Sequence, residues 1–290
     1  MKKTTTILVF FLMAMTVKAQ DKILVGGTLS DKIAIINKST KEIEWEHKGF
    51  AGECKECNSL VHLKGEDVAY AHKKGVYFIN SQGEMLFEFK VGKGEEFQSV
   101  SVIKGGYLLG ISGNPMRIVE INKKGEVTKE LTFDTEVTNI HRQFRQITKT
   151  KKGHYLVPIS DSKRLVELDA NGGLVKDIKI EHSSLYVATD KKGNWLATTG
   201  HAGVIYKIDG KTGVKSKIVD SPNLGDDIKI EFGAGIVELK NGNYLLANWV
   251  GHNGDQKQPI LIELDKAGKV VWTMNKIDQF TFAAGIYPIY

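Results

Sequence analysis

Two cysteines, five prolines and four tryptophans in 290 residues leave little of what several fold classes require. So few cysteines exclude a disulfide-stapled miniprotein. Thirty glycines without a three-residue period exclude collagen, and the low proline content excludes a Pro-rich disordered chain. No window carries helical periodicity long enough to matter, which removes coiled coils and helical bundles. The one long apolar run, residues 7–15, falls far short of the roughly 20 residues that span a bilayer. A dominant charge is missing too, with 40 Lys and Arg against 34 Asp and Glu. The formal +6 falls to +3 once Lys2, Lys3 and Lys18 are set aside with the leader described next, so neither nucleic acid nor an anionic membrane is an expected partner. What remains is 41% hydrophobic and 26% charged, ordinary for a globular chain with a sizeable core.

The amino terminus reads as an address. Lys2 and Lys3 precede the apolar run, and Val17-Lys18-Ala19 places small side chains at the −3 and −1 positions of a cleavage site. Residues 1–19 are therefore expected to be a signal peptide, with a single domain over 20–290 that is exported to the periplasm or the cell exterior. Gln20, not Cys, follows the cut, so no lipid anchor and no membrane insertion are expected.

After Gln20 the pattern is short, apolar and alternating, broken by Gly, Asn and Lys every six to ten residues, which is the grammar of strands and turns. One unit recurs: an apolar strand ends in Asn or Asp, a tight turn follows, and a second strand begins. Examples are IAIINKSTKEIEW (33–45), VYFINSQGEMLFEF (76–89) and RLVELDANGGLVKDI (164–178). The anchors Asn37, Asn80, Asn122, Asp169, Asp209 and Asp265 lie 43, 42, 47, 40 and 56 residues apart, the period of a four-stranded propeller blade. Asn and Asp suit that place because their side chains bond the backbone two residues on and close the turn. A second strand pair, joined by a Lys-Gly-type turn, precedes each anchored pair, as in AGIVELKNGNYLLANW (234–249). The first unit lacks its opening strand, and AAGIYPI (283–289) has the form of the missing piece. The prediction is a single all-β, six-bladed β-propeller of four-stranded antiparallel blades, its ring closed by the C-terminal strand completing the N-terminal blade.

The segment IINKSTKEIEW (35–45) resembles the repeat of pyrroloquinoline-quinone-type (quinoprotein-like) propellers, in which Asp or Asn, Thr-Gly and Trp follow at fixed spacing. Asn37, Thr40 and Trp45 match, with Lys41 where Gly is usual. Asp209, Thr212 and Gly213 repeat the pattern, and Asp265, Gly268 and Trp272 echo it one residue shorter. The resemblance spans nearly the whole chain after the leader and extends to arylsulfotransferase-like propellers. It implies the fold. It does not choose among quinone dehydrogenases, sulfotransferases, lyases, scaffolds and sugar binders.

Connectivity locates a site. In each blade the loops between the second and third strands share one face, the top, with the loops that lead to the next blade. The bottom turns are short and stereotyped, while the top loops vary, and variable loops on a repeated scaffold carry function. The top loops hold Cys54, Cys57, Asn58, Glu96, Gln98, His141, Arg142, Gln143, His182, His72, Asn114, Asp161, His201 and the run Asn248-Trp249-Val250-Gly251-His252. The expected ligand-binding set is Arg142, His141, His182, His201, Trp249, His252, Gln98 and Asp161. Imidazoles can act as acid and base near neutral pH, Arg142 offers a fork of donors to an anion, and Trp249 reads first as a packed ring, with a flat platform for a sugar as the alternative. His62 and His154 sit within strands and read as packing or surface residues. Cys54 and Cys57 form a CxxC that, in an oxidising compartment, is expected to close a local disulfide; no His follows to make a haem-attachment motif.

These residues point first to an exported binding module, monomeric, with a small-molecule, carbohydrate or protein ligand on the top face. The alternatives are an arylsulfotransferase-like or polysaccharide-lyase-like enzyme with His141 or His182 as its catalytic group, and a scaffold whose partner is a cell-envelope protein. No motif calls for a resident metal or cofactor; a quinone or a divalent metal stays open as an alternative occupant.

Overall fold

A computed structural model describes residues 21–28, 32–49, 56–251, 253–276 and 282–290. The expected signal peptide, Cys54 and with it the Cys54–Cys57 disulfide, and His252 lie outside the described residues. Six four-stranded antiparallel sheets succeed one another around a ring. Blade 2 is typical, with strands Cys57–His62, Val68–His72, Gly75–Ile79 and Met85–Lys90. In blade 1 the innermost strand is Gly285–Ile289, paired antiparallel with Lys22–Gly26 in the register Lys22↔Ile289 to Gly26↔Gly285. The closure expected from the likeness of the two termini is thus formed, and it occupies both edges that an open sheet would leave exposed.

Strand alternation explains how the ring holds together. In Lys22–Gly26, Ile23 and Val25 pack against blade 6 while Leu24 faces blade 2. Ala34 and Ile36 repeat the first orientation, and Ile33 and Ile35 the second. The inner strands are therefore buried on both faces and read as near-continuous apolar runs such as IAII, while the outer strands alternate, as in IEWEHK and MLFEFK. Among the described residues, each pair of neighbouring blades shares one hydrophobic cluster, which makes six small cores. Each fully buried Leu, Ile or Val in them contributes about 1.5–3 kcal/mol.

The anchor residues act as the repeat predicts. Asn37 Oδ1 accepts from the backbone N–H of Ser39 at 2.9 Å, Asn80 Oδ1 from Gln82 at 3.0 Å, and Asp265 Oδ1 from Ala267 at 2.9 Å. Near the axis, hydroxyls fasten blade to blade. Ser59 Oγ donates to the carbonyl of Val100, Ser99 Oγ to that of Ile147, Thr148 Oγ1 to that of Val187 and Thr198 Oγ1 to that of Ala234. Outside the blade plan, a hairpin of Asn223–Gly225 and Ile228–Lys229 turns through Asp226 and Asp227, both at positive φ. Among the described residues no helix is long and apolar enough to cross a membrane.

Candidate functional site

Two blades depart from the pattern, and their departures build the site. Blade 4 opens with a strand of only two residues, Thr148–Lys149. The chain before it makes one 3-10 turn, Ile140–Arg142, and then runs across the top of the channel, where the N–H groups of Arg145 and Gln146 bond the carbonyl of Leu185 in blade 5. This bend carries His141, Arg142 and Arg145 to the mouth. In blade 6, Asn248 is fully buried and fastens the neighbouring loops. Its Oδ1 accepts from the N–H of Glu231 at 2.8 Å and of Phe232 at 3.2 Å, and its Nδ2 donates to the carbonyls of Lys229 and Pro259. Those bonds set Phe232 edge-on to Trp249, ring centroids 5.6 Å apart, and to His201 at 4.9 Å.

Between these elements lies a cavity of about 510 Å³ at the top of the channel, with an apolar wall of Leu185, Tyr186, Phe232 and Trp249. Glu56, Asn58, His141, Arg142, Arg145 and His201 supply its polar groups. A second recess of about 410 Å³ adjoins it, sharing His141, Arg145 and His201 and reaching outward to His182, Ser183 and Lys163. Volumes of this size suit a small-molecule ligand.

A chain of hydrogen bonds, buried at Glu96, Gln98 and Arg145, underlies the cavity. Glu96 Oε2 receives His141 Nδ1 at 2.8 Å and Gln98 Nε2 at 3.1 Å, while Lys73 Nζ reaches Oε1 at 2.8 Å. Burial alone would raise the Glu96 carboxyl, but the bonds from His141 and Lys73 outweigh it and hold the group at about 2. On the far side of the imidazole, Arg145 Nη2 lies 2.8 Å from His141 Nε2. A guanidinium can only donate, so Nε2 accepts and Nδ1 carries the proton toward Glu96. Arg145 is 9% exposed; its Nη1 donates to the carbonyls of Phe144, at 3.0 Å, and His141. Burial pulls its proton affinity down from the ordinary arginine value, and the charges of Glu56 and Glu96 oppose that pull. Tyr186, fully desolvated beside it, has its phenol pushed up by burial.

Of the residues expected from the sequence, His141, Arg142, His201 and Trp249 line the main cavity and His182 lines the adjoining recess. Arg142 turns outward and pairs with Asp161, Nη2 to Oδ1 at 3.0 Å, so both stand on the rim. Gln98 is buried beneath, bonded to Glu96 instead of facing the cavity. Trp249 is 6% exposed, its ring packed into the core between blades 6 and 1 with one surface toward the cavity. It is a wall and not an open platform. His182 is half exposed, 3.9 Å from Glu181. His201 donates from Nδ1 to the carbonyl of Glu231 at 2.9 Å, which leaves Nε2 as an acceptor. His62 and His154 pair with Glu66 and Glu167, away from the mouth. Gln143 and Asn114 bond one another and tie the top loops together. Among the described residues, no three His, Cys, Asp or Glu side chains gather as metal ligands. Sequence reasoning missed Arg145, Glu56, Leu185 and Phe232. A charged residue inside the otherwise strand-like FRQI was the one available sign of Arg145.

The family model described as Mal s 1 allergenic protein-like matches residues 27–269. A protein of unknown function from Bacteroides caccae superposes with a TM-score of 0.86 at 34% identity, covering 93% of this chain and 99% of its own. Virginiamycin B lyase from Staphylococcus aureus, solved as a catalytically inactive variant with quinupristin, gives 0.63 at 14% identity, covering 94% and 93%. A nidogen–laminin complex gives 0.65 at 11%, covering 92% and 98%. The last two likenesses are of fold alone. No protein with a curated description matches the sequence.

Proposed function

This chain belongs to the Mal s 1 allergenic protein-like family, and from that premise we propose that it is an exported binding module whose ligand, a glycan fragment or another small molecule, sits in the cavity at the mouth of the channel. The observation that carries the reading is the 510 Å³ cleft, open to solvent at the mouth, lined by both aromatic side chains and convergent polar groups. Export rests on the three-part leader over residues 1–19.

The second reading is an enzyme of lyase or arylsulfotransferase style, for which His141 or His182 would serve as base or nucleophile. The Glu96–His141 pair favours it, since a carboxylate that orients an imidazole is a catalytic device. Against it, the Nε2 lone pair that would take a proton is already bonded to Arg145, and His182 has only the distant Glu181 to orient it. Binding therefore has the stronger support. The quinone-repeat resemblance belongs to the blades and contributes no ligand contact to this reading.

The test is a thermal-shift screen of residues 20–290 against neutral oligosaccharides, aryl acids, aryl sulfates, divalent metals and pyrroloquinoline quinone. A ligand at 100 times its Kd adds about 2.7 kcal/mol, a clear rise in Tm. The proposal expects a rise that is lost in Phe232→Ala. Turnover of an aryl sulfate or a polysaccharide, abolished in His141→Ala, would replace binding with catalysis.

A further inference from the structure

Arginine in a protein interior normally meets a carboxylate, because a lone buried charge is costly to desolvate. Arg145 is nine-tenths buried and lines the main cavity, yet among the described residues it forms no ion pair. Glu96 cannot serve it directly, since its oxygens are taken by Lys73, His141 and Gln98. Of the five N–H donors of the guanidinium, the carbonyls of Phe144 and His141 engage both on Nη1, and His141 Nε2 engages one on Nη2. The Nε–H and the second Nη2–H have no bond to a described residue, which leaves charge-assisted donors on the guanidinium for a carboxylate.

We infer that the cavity takes an organic monocarboxylate with a flat apolar body, its carboxylate on the open donors of Arg145 and its body against Leu185, Phe232 and Trp249. This inference rests on the binding reading above and narrows it. One negative charge fits better than two, because Glu56 lines the same cavity and Arg142 is already neutralised by Asp161. A phosphate dianion would place its second charge opposite Glu56. His201 lines the same cavity, and its Nε2 can accept a hydrogen bond from a hydroxyl on the body of the ligand, since Nδ1 is committed to the carbonyl of Glu231.

Isothermal titration of the protein with 6-hydroxy-2-naphthoate, its neutral amide, naphthyl phosphate and neutral trisaccharides separates the cases. The acid is expected to bind about tenfold or more tightly than the amide, the worth of a charge-assisted pair. The difference should vanish in Arg145→Met and persist in part in Arg145→Lys. Equal affinity for acid and amide, tighter binding of the phosphate, or binding of trisaccharides alone would overturn the carboxylate while leaving a small-molecule site in place. If none of the four binds, and no other small molecule in the thermal screen does either, the site itself is overturned. If Arg145→Met fails to fold, the ratio of acid to amide in the unaltered protein decides the matter.

Discussion

Glu96→Gln offers the sharpest test of the network beneath the cavity. The carboxyl is held at about 2 against an ordinary 4.5. At about 1.4 kcal/mol per tenfold change in proton affinity, that gap corresponds to roughly 3 kcal/mol of folding stability. Glu96 is only 10% exposed, but its partners His141 and Lys73 are 38% and 46% exposed, so solvent screening makes that figure an upper bound. A carboxyl whose folded value is depressed stabilises the fold above its unfolded value and loses that contribution as pH falls through its folded value. The difference between the parent protein and Glu96→Gln should therefore be full from pH 7 to about 5 and shrink toward zero near pH 2. Urea unfolding followed by tryptophan fluorescence at pH 7, 5, 4 and 3 measures it. Other carboxyls held down by their partners, Glu167 and Glu263 among them, destabilise both proteins together in acid and cancel in the difference. A difference that does not vary with pH would refute the reasoning, since it would mean that the substitution disturbs packing and not charge.

Further outcomes follow from the fold. Gly106→Ala should cost about 3 kcal/mol, because an added Cβ would meet the carbonyl oxygen of Ile121 at 1.8 Å, whereas Gly105→Ala, at φ +92° in open space, should cost only about 1 kcal/mol; chemical denaturation of the pair gives both values. Asn248→Ala removes four hydrogen bonds from a fully buried side chain, so a loss of about 3 kcal/mol and a heightened protease sensitivity of the 250–259 loop are expected. Arg142→Ala breaks a rim pair whose arginine is 62% exposed and should change stability by less than about 0.5 kcal/mol. Truncation after Phe282 removes the closing strand and bares the edge at Lys22–Gly26, which should produce aggregates on gel filtration that the parent protein does not form.

The blade plan was legible because propeller blades repeat the same local demands. Each inner strand needs apolar residues on both faces, and each outer turn needs a side chain that accepts its own backbone N–H groups, as Asn37 and Asp265 do. The mouth of the channel was legible only as a region. Its key contact joins Glu96 to His141, 45 residues away, and the backbone of Arg145 to Leu185 in the next blade. Such partners sit one blade apart, and spacing alone does not say which neighbours turn inward. Arg145 was hidden because a single charge within FRQI looks like the solvent face of a strand. The shortened strand Thr148–Lys149, which lets that segment bend over the mouth, has no signature in residue type. Trp249 was legible as either of two states, a packed ring or an open platform. The bonds of Asn248 draw the loop inward and pack the ring as wall.

The most direct test of the central claim, that the cavity at the channel mouth is the binding site, is a titration with and without that space. Leu185→Trp enlarges a partly buried wall residue into the cavity. The ligands that raise the Tm of the parent protein should bind this variant at least about tenfold more weakly, while its own Tm stays close to that of the parent. Undiminished affinity in a folded Leu185→Trp protein would place the ligand elsewhere and contradict the account.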